Sequence, residues 1–211
     1  MIRAQTKLEF SYGLASRMAE AINDVSPATR QMLGEIWTYA EFARAAIHSA
    51  EIEAFEYGNG VWFPNGGPLA ALRAALPTWF PRVGEIITLI GSHNLLAAPT
   101  EAQLNDPKLR PLIDRYLRGA GETNSEQRAR IFRLAWDFVG SALASRNELY
   151  ERFYLASGAR NYQLAHALAP KDRARRLVDE LIGLKARDGR GQAESDKKII
   201  GLPTSAEFPR R

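Results

Sequence analysis

Apolar residues recur along most of this chain at helical spacing, three or four positions apart. Leu8, Phe10, Leu14, Met18 and Ile22 mark a first helix over Thr6–Asn23. Ser26-Pro27 is a start signal, a capping hydroxyl followed by proline at the first helical position. From there Met32, Ile36, Tyr39, Ala43, Ile47, Ala50 and Ala54 carry a helix to about Tyr57, where Gly58-Asn59-Gly60 is expected to end it with a left-handed cap. That length corresponds to roughly 45 Å of helix. Val61–Gly67 reads as a turn-rich crossover, Pro68 opens a short helix to about Ala75, and Pro77 and Pro81 bracket the entry to another over Arg82–Leu96. Thr100-Glu101 begins a short turn, and Asp106-Pro107 caps a helix running through Arg118. Gly119–Asn124 is a loop, with Asn124 or Ser125 as the next cap.

The longest apolar run follows. Arg128–Tyr154 reads as one uninterrupted helix with apolar residues nearly all round, which predicts a central, buried element. A polar line of Arg130, Arg133, Asp137, Ser141 and Glu148 shares one face of it. Charge that is buried must be paired, so this face has to meet a partner charge, another subunit or a polar ligand. Gly158 is expected to end the run, and Lys171–Lys185 to form a last basic amphipathic helix with Leu177, Leu181 and Leu184 inward. No segment reads as a strand. The fold class expected is all-α, a four-helix bundle with extra short helices over residues 1–187, followed by a basic, mobile arm over 188–211.

Composition removes several chemistries. The chain has no cysteine, which excludes disulfides, thiolate metal sites and a cysteine nucleophile. A hydrophobic content of 45% with 25% charged residues is that of an ordinary water-soluble domain. The N-terminal MIRAQTKLEF lacks the apolar core of a signal peptide, and no run is long enough to span a bilayer, so no membrane association and a cytoplasmic location are expected. The net charge of +4 sits mostly in the last forty residues without a recognition motif, and nucleic acid is not the expected partner.

A carboxylate-rich bundle raises the possibility of a di-iron site, which needs two Glu-x-x-His pairs. Neither Glu35 nor Glu41 has histidine at that spacing, and His48, His93 and His166 fall on different helices. No serine lies in a Gly-x-Ser-x-Gly turn, and no lysine occupies an apolar pattern that would depress its pKa. The glycines at 58, 60, 66 and 67 lack the strand–helix context of a phosphate loop. His93 sits near a helix end as a capping or hydrogen-bonded residue. The polar face of the long helix is what remains. Arg133 and Asp137 could neutralise each other while Ser141 bonds back to its own helix. Alternatively Arg130, Arg133 or Arg146 offers a planar guanidinium to a phosphate or phenolate, with Asn147 beside it bonding a flavin or substrate edge. Tyr150-Glu151-Arg152 reads as a helix or subunit contact.

Arg130-Ile131-Phe132-Arg133-Leu134-Ala135-Trp136-Asp137, followed by Ser145-Arg146-Asn147-Glu148-Leu149-Tyr150-Glu151-Arg152-Phe153, resembles the signature of the C-terminal helical domain of 4-hydroxyphenylacetate 3-hydroxylases. Leu33-Gly34-Glu35-Ile36, Gly60-x-Trp62-x-Pro64, Phe80-Pro81-Arg82 with Glu85-Ile86, and Ala98-Pro99-Thr100 follow in family order. The resemblance implies a fold similar to the acyl-CoA dehydrogenase C-terminal domain and a homo-oligomer, a dimer or tetramer of packed bundles. It implies FAD, reduced by a separate flavin reductase, that reacts with oxygen and hydroxylates a phenol ortho to its hydroxyl. Arg133, Arg146 and Asn147 are the cofactor contacts it suggests. Family members carry an N-terminal helical domain and a β-barrel before this region. Ser157-Gly158-Ala159 also stands where Gly-Asp-Pro is usual. The expectation is therefore a chain that is inactive alone, with another polypeptide supplying the missing walls. The alternative is a non-catalytic helical oligomerisation or interaction module.

Overall fold

A computed structural model describes residues 1–169 and 171–184. The arm expected over 188–211 lies outside the described residues. The chain divides into two compact units, Met1–Leu155 and Ala156–Arg211.

The first unit is built on three long helices, α1 (Ile2–Ala21), α2 (Pro27–Ile52) and α3 (Gly66–Gly91). Each packs on the other two, and a fourth, α7 (Ser125–Val139), closes the bundle against α1 and α3. Leu8 and Met18 of α1, Ile36 of α2, Ile86 of α3 and Phe132 of α7 meet in the core, none more than 1% exposed. Short helices α4 (Asn94–Ala97), α5 (Glu101–Asn105) and α6 (Arg110–Tyr116) link α3 to α7, and α8 (Ala142–Phe153) lies on α3.

The helix starts follow the expected chemistry. Ser26 Oγ accepts from Thr29 N at 3.2 Å with Pro27 at the first position. Asn124 caps α7 in a full capping box, its side chain accepting from Gln127 N while Gln127 Oε1 accepts from Asn124 N.

Four expectations are overturned. First, Arg128–Tyr154 is two helices. A Cβ on Gly140 would stand 2.6 Å from the Trp136 ring, so the chain passes that indole at a residue without a side chain. Ser141 then turns extended and starts α8 by accepting from Ala144 N at 3.2 Å. Nor is this pair of helices central: Leu134, Leu143 and Leu149 are 48–59% exposed. Their all-round apolar character is one face on the core and another on the surface.

Second, Pro77 and Pro81 lie inside a single helix, α3. Each proline costs a helix interior about 3 kcal/mol. The two stand one turn apart on one half-buried face, and the buried row Leu72, Leu76, Phe80, Val83, Ile87 and Ile90 holds the helix together across them.

Third, α2 ends at Ile52, and Gly58-Asn59-Gly60 turns a two-stranded antiparallel hairpin, β1 (Phe55–Gly58) with β2 (Val61–Phe63). All three turn residues have positive φ, which Gly and Asn adopt most readily.

Fourth, in the second unit Gly158 begins a helix, α9 (Gly158–Leu168), capped by Ser157. The leucines of α10 (Lys171–Ile182) and its end do not point inward: Leu177, Leu181 and Leu184 are 59–86% exposed.

The burial pattern of α7 and α8 yields a direct test. Phe132→Ala should cost about 3–5 kcal/mol in urea unfolding, the range for aromatic truncation in a core. Leu143→Ala should stay within about 0.5 kcal/mol, as expected for an exposed site.

Candidate functional site

A concave feature that includes signature residues lies where α1, α3, α7 and α8 meet, a cleft of about 470 Å³. Phe80 and Val83 of α3 and Phe138 and Val139 of α7 make its apolar walls, and Lys7 and Glu151 its charged part. Asn147 and Arg152 of α8 and Arg82 and Glu85 of α3 stand at the polar rim.

Glu151 is the buried acid here, with only 5% of its side chain exposed. Arg3 grips it with two nitrogens at 2.6 and 3.1 Å, and Lys7 Nζ donates at 3.0 Å. Burial pushes the Glu151 carboxyl up, but the hydrogen bonds and charges of Arg3 and Lys7 outweigh it and hold it below the usual carboxylate range. Lys7 also lies over the Phe80 and Phe138 rings, 5.2 and 5.3 Å from their centroids. Lys7 is thus flanked by two aromatic rings with its counter-charge at hand. It was missed because its neighbours come from α3 and α7, not from its own helix.

Beside the cleft a second polar group ties α2 to α3. Arg82 bonds Glu35 through two nitrogens at 2.8 and 3.0 Å and Glu85 at 2.7 Å. Tyr39 donates to Glu35 at 2.7 Å, and burial together with that carboxylate pushes its hydroxyl up to about 12. The Tyr39 ring stacks on Trp79 at 4.9 Å. Tyr39 is therefore a neutral donor at physiological pH.

The three residues expected to hold a cofactor are not gathered at one point. Asn147 lines the cleft, half-buried, and among the described residues its carboxamide has no hydrogen-bond partner. Arg146 precedes it on α8 but faces solvent, without an ion pair among the described residues. Arg133 lines a separate cleft of about 440 Å³ with Arg110 and Arg130. Arg130 is paired with Glu126 at 2.6 Å and Arg110 with Asp114 at 2.8 Å, and no ion pair joins Arg133 to Asp137 among the described residues. Ser141 does bond back, donating to Asp137 O at 3.0 Å. His93 sits before α4 without a side-chain capping bond. Among the described residues no group of three or more His, Asp or Glu is placed to hold a metal ion, and no helix is long and apolar enough to cross a membrane.

Lys7 is a site residue that sequence reasoning missed, and Glu151, read there as a helix or subunit contact, makes a helix contact to α1. One signal was present: Ala144, Asn147 and Glu151 are three and four apart, so the glutamate shares the inward stripe of α8.

This arrangement of helices and signature residues is matched by known proteins. Residues 1–183 fit the sequence family described as 4-hydroxyphenylacetate 3-hydroxylase C terminal. The chain belongs to this family. The oxygenase component of 4-hydroxyphenylacetate 3-monooxygenase from Thermus thermophilus is 36% identical over 167 residues, 79% of this chain and 34% of that protein. A crystal structure of an HpaB oxygenase component complexed with FAD and 4-hydroxyphenylacetate superposes with a TM-score of 0.80 at 34% identity, covering 85% of this chain and 37% of that one. The chain thus spans about a third of the length of the relatives it matches. A 4-hydroxybutyryl-CoA dehydratase from N. maritimus shares the fold at 16% identity and a TM-score of 0.76. The bundle is therefore an HpaB C-terminal domain, and the signature residues quoted above lie on α7 and α8.

Glu151 gives this HpaB domain a measurable acid limb. A carboxylate depressed by folding adds stability that is complete above its ordinary value of 4.5 and is lost as pH falls below that, through the folded value. Glu151→Ala should remove this limb and, by leaving Lys7 between two rings without a counter-charge, cost about 2–3 kcal/mol. That is less than the ~3–5 of a fully buried broken pair because Arg3 is half exposed. Urea unfolding of both proteins between pH 7 and pH 3 measures both effects.

Proposed function

We propose that this chain provides one wall of the FAD site of a phenol 3-monooxygenase oxygenase component, the enzyme class that hydroxylates a 4-hydroxyphenylacetate-like substrate ortho to its hydroxyl. The observation that carries the reading is Asn147. A half-buried carboxamide with neither donor nor acceptor engaged among the described residues lines a cleft with aromatic walls, within the family signature. A carboxamide offers one acceptor and two donors, the complement of the imide edge of a flavin ring. The residues present fit that group on one side only. Asn147 would hold the ring edge, and Arg146, one position earlier and open to solvent, would meet a phosphate or phenolate.

Bound FAD, once reduced, supplies the electrons that activate dioxygen. The protein's part is positioning. The Glu151 clamp fixes the depth of α8, Phe80 and Phe138 exclude water from the inner end of the cleft, and the neutral Tyr39 stiffens the α2–α3 junction. Arg133 lies in another cleft, so in this reading it serves the phosphate end of a flavin held by a neighbouring copy. A homo-oligomer, a separate flavin reductase, a second polypeptide supplying the remaining walls and a cytoplasmic location complete the proposal. The 48–59% exposure of Leu134, Leu143 and Leu149 also favours a second reading, a helical interaction module without catalysis.

Thermal unfolding with oxidised and reduced FAD separates the two. Ligand at about a hundred times its dissociation constant stabilises by about 2.7 kcal/mol, a shift of several degrees. The flavin reading expects that shift in the wild-type chain and its loss or sharp reduction in Asn147→Ala and Arg146→Ala. An unchanged melting temperature at millimolar flavin favours the interaction module.

A further inference from the structure

Two Asn-Gly pairs flank β2, Asn59-Gly60 before it and Asn65-Gly66 after it, and the fold puts them in opposite chemical situations. In such a pair the side-chain amide is open to attack by the next backbone nitrogen, because glycine has no Cβ to hinder the approach. Asn59 and Gly60 are the two loop residues of the hairpin, since Gly58 and Val61 are register partners. Their φ values of 52° and 77° are those of a type I′ turn. Both residues are exposed, and among the described residues the Asn59 carboxamide has no hydrogen-bond partner. Nothing stands within 4 Å of the place a Cβ on Gly60 would take, so its surroundings are open. The Gly60 N–H is held by a carboxylate, Glu56 Oε1 at 3.1 Å. That is within the ~2.6–3.2 Å reach of a general base. All seven strand residues are exposed, and a two-stranded hairpin is marginal in water, so the turn is free to bring the carboxamide carbon over the nitrogen.

Asn65 is fixed instead. Its N–H donates to Ala50 O at 2.9 Å, its Oδ1 accepts from Gly67 N at 2.8 Å, and its Nδ2 donates to Glu53. As the cap of α3 it is bound to the nitrogen two residues on, and Gly66 already belongs to the helix.

We propose that Asn59 is a deamidation site, with Gly60 N as the nucleophile and Glu56 as the base that takes its proton. A bond forms from Gly60 N to Asn59 Cγ, and the Cγ–Nδ2 bond breaks. The proton lost by Gly60 N passes through Glu56 to the departing nitrogen, which leaves as ammonia. The five-membered imide then takes up water, the one co-reactant, and opens to aspartate or to isoaspartate. Isoaspartate adds a backbone carbon to a two-residue loop, and either product sets a new carboxylate near Glu56. Strand pairing is lost while the bundle keeps its core. The site shares no residue with the α8 cleft, so this inference is independent of the flavin reading.

The test is to age the chain at neutral pH, digest it and follow each peptide by mass, with an isoaspartyl methyltransferase and labelled S-adenosylmethionine as the probe for isoaspartate. Peptide resolution matters because Asp188-Gly189 can isomerise through the same ring without losing ammonia. In the folded chain Asn59 should convert at least ten times faster than Asn65, and unfolding in guanidinium should erase that difference. Glu56→Gln, an exposed change outside the bundle, should slow conversion of Asn59 at least threefold with an unchanged melting temperature. Equal rates at Asn59 and Asn65 in the folded chain, a difference that persists in guanidinium, or a Glu56→Gln chain that converts at the wild-type rate would each overturn the proposal.

Discussion

A buried carboxylate must be compensated, and in this protein that requirement joins the two ends of the bundle. Glu151 near the end of α8 is met by Arg3 and Lys7 in the first two turns of α1, 148 and 144 residues away. Two cations meet the one carboxylate, Arg3 from the half-exposed side and Lys7 from beside two phenyl rings. Breaking one member leaves an unpaired charge in an apolar setting, which is far costlier than never having buried the group. The clamp therefore fixes where α8 sits along α1. One turn earlier on α8, Asn147 is delivered into the cleft with its hydrogen-bonding capacity unspent. The same constraint that closes the fold opens the site.

Much of this architecture was readable from local sequence chemistry. The capping signals at Ser26-Pro27 and Asn124 act within three or four residues, and the structure uses both. The apolar periodicity of α1 and α2 reports a core that those helices share. The signature around Arg133 and Arg146 identified the family, which the match over residues 1–183 shows. What could not be read depends on partners distant in sequence. Gly140 breaks the long apolar run because of the Trp136 ring beside it, a contact that periodicity does not express. Pro77 and Pro81 remain within α3 because tertiary packing overrides their local cost. The hairpin was hidden by its own turn, since Gly-Asn-Gly serves a helix cap and a hairpin equally well, although the aromatics alternating on both sides carried a strand signal.

The candidate site was legible only in part, for the same reason. Asn147 was picked out by its place in the signature, and the structure sets it in the cleft. Arg133 was picked out on the same grounds, yet it lies on the α5–α6 side of α7 in a cleft of its own. Residues on one helical face diverge once the helix breaks at Gly140, and a polar line drawn on a single helix does not survive that break. Lys7 and Arg3 were passed over, and Glu151 was read only as a helix or subunit contact, because each gains its place in the cleft only across the interface between α1 and α8.

The account turns on α8 being the flavin-facing element of this HpaB domain. Hydrogen–deuterium exchange of the chain with and without saturating reduced FAD, under anaerobic conditions, tests this most directly. The account predicts slowed exchange over 141–152, together with the Phe80–Glu85 stretch of α3 that lines the same cleft. Protection confined to other helices, or none at a flavin concentration that saturates full-length relatives, would contradict it.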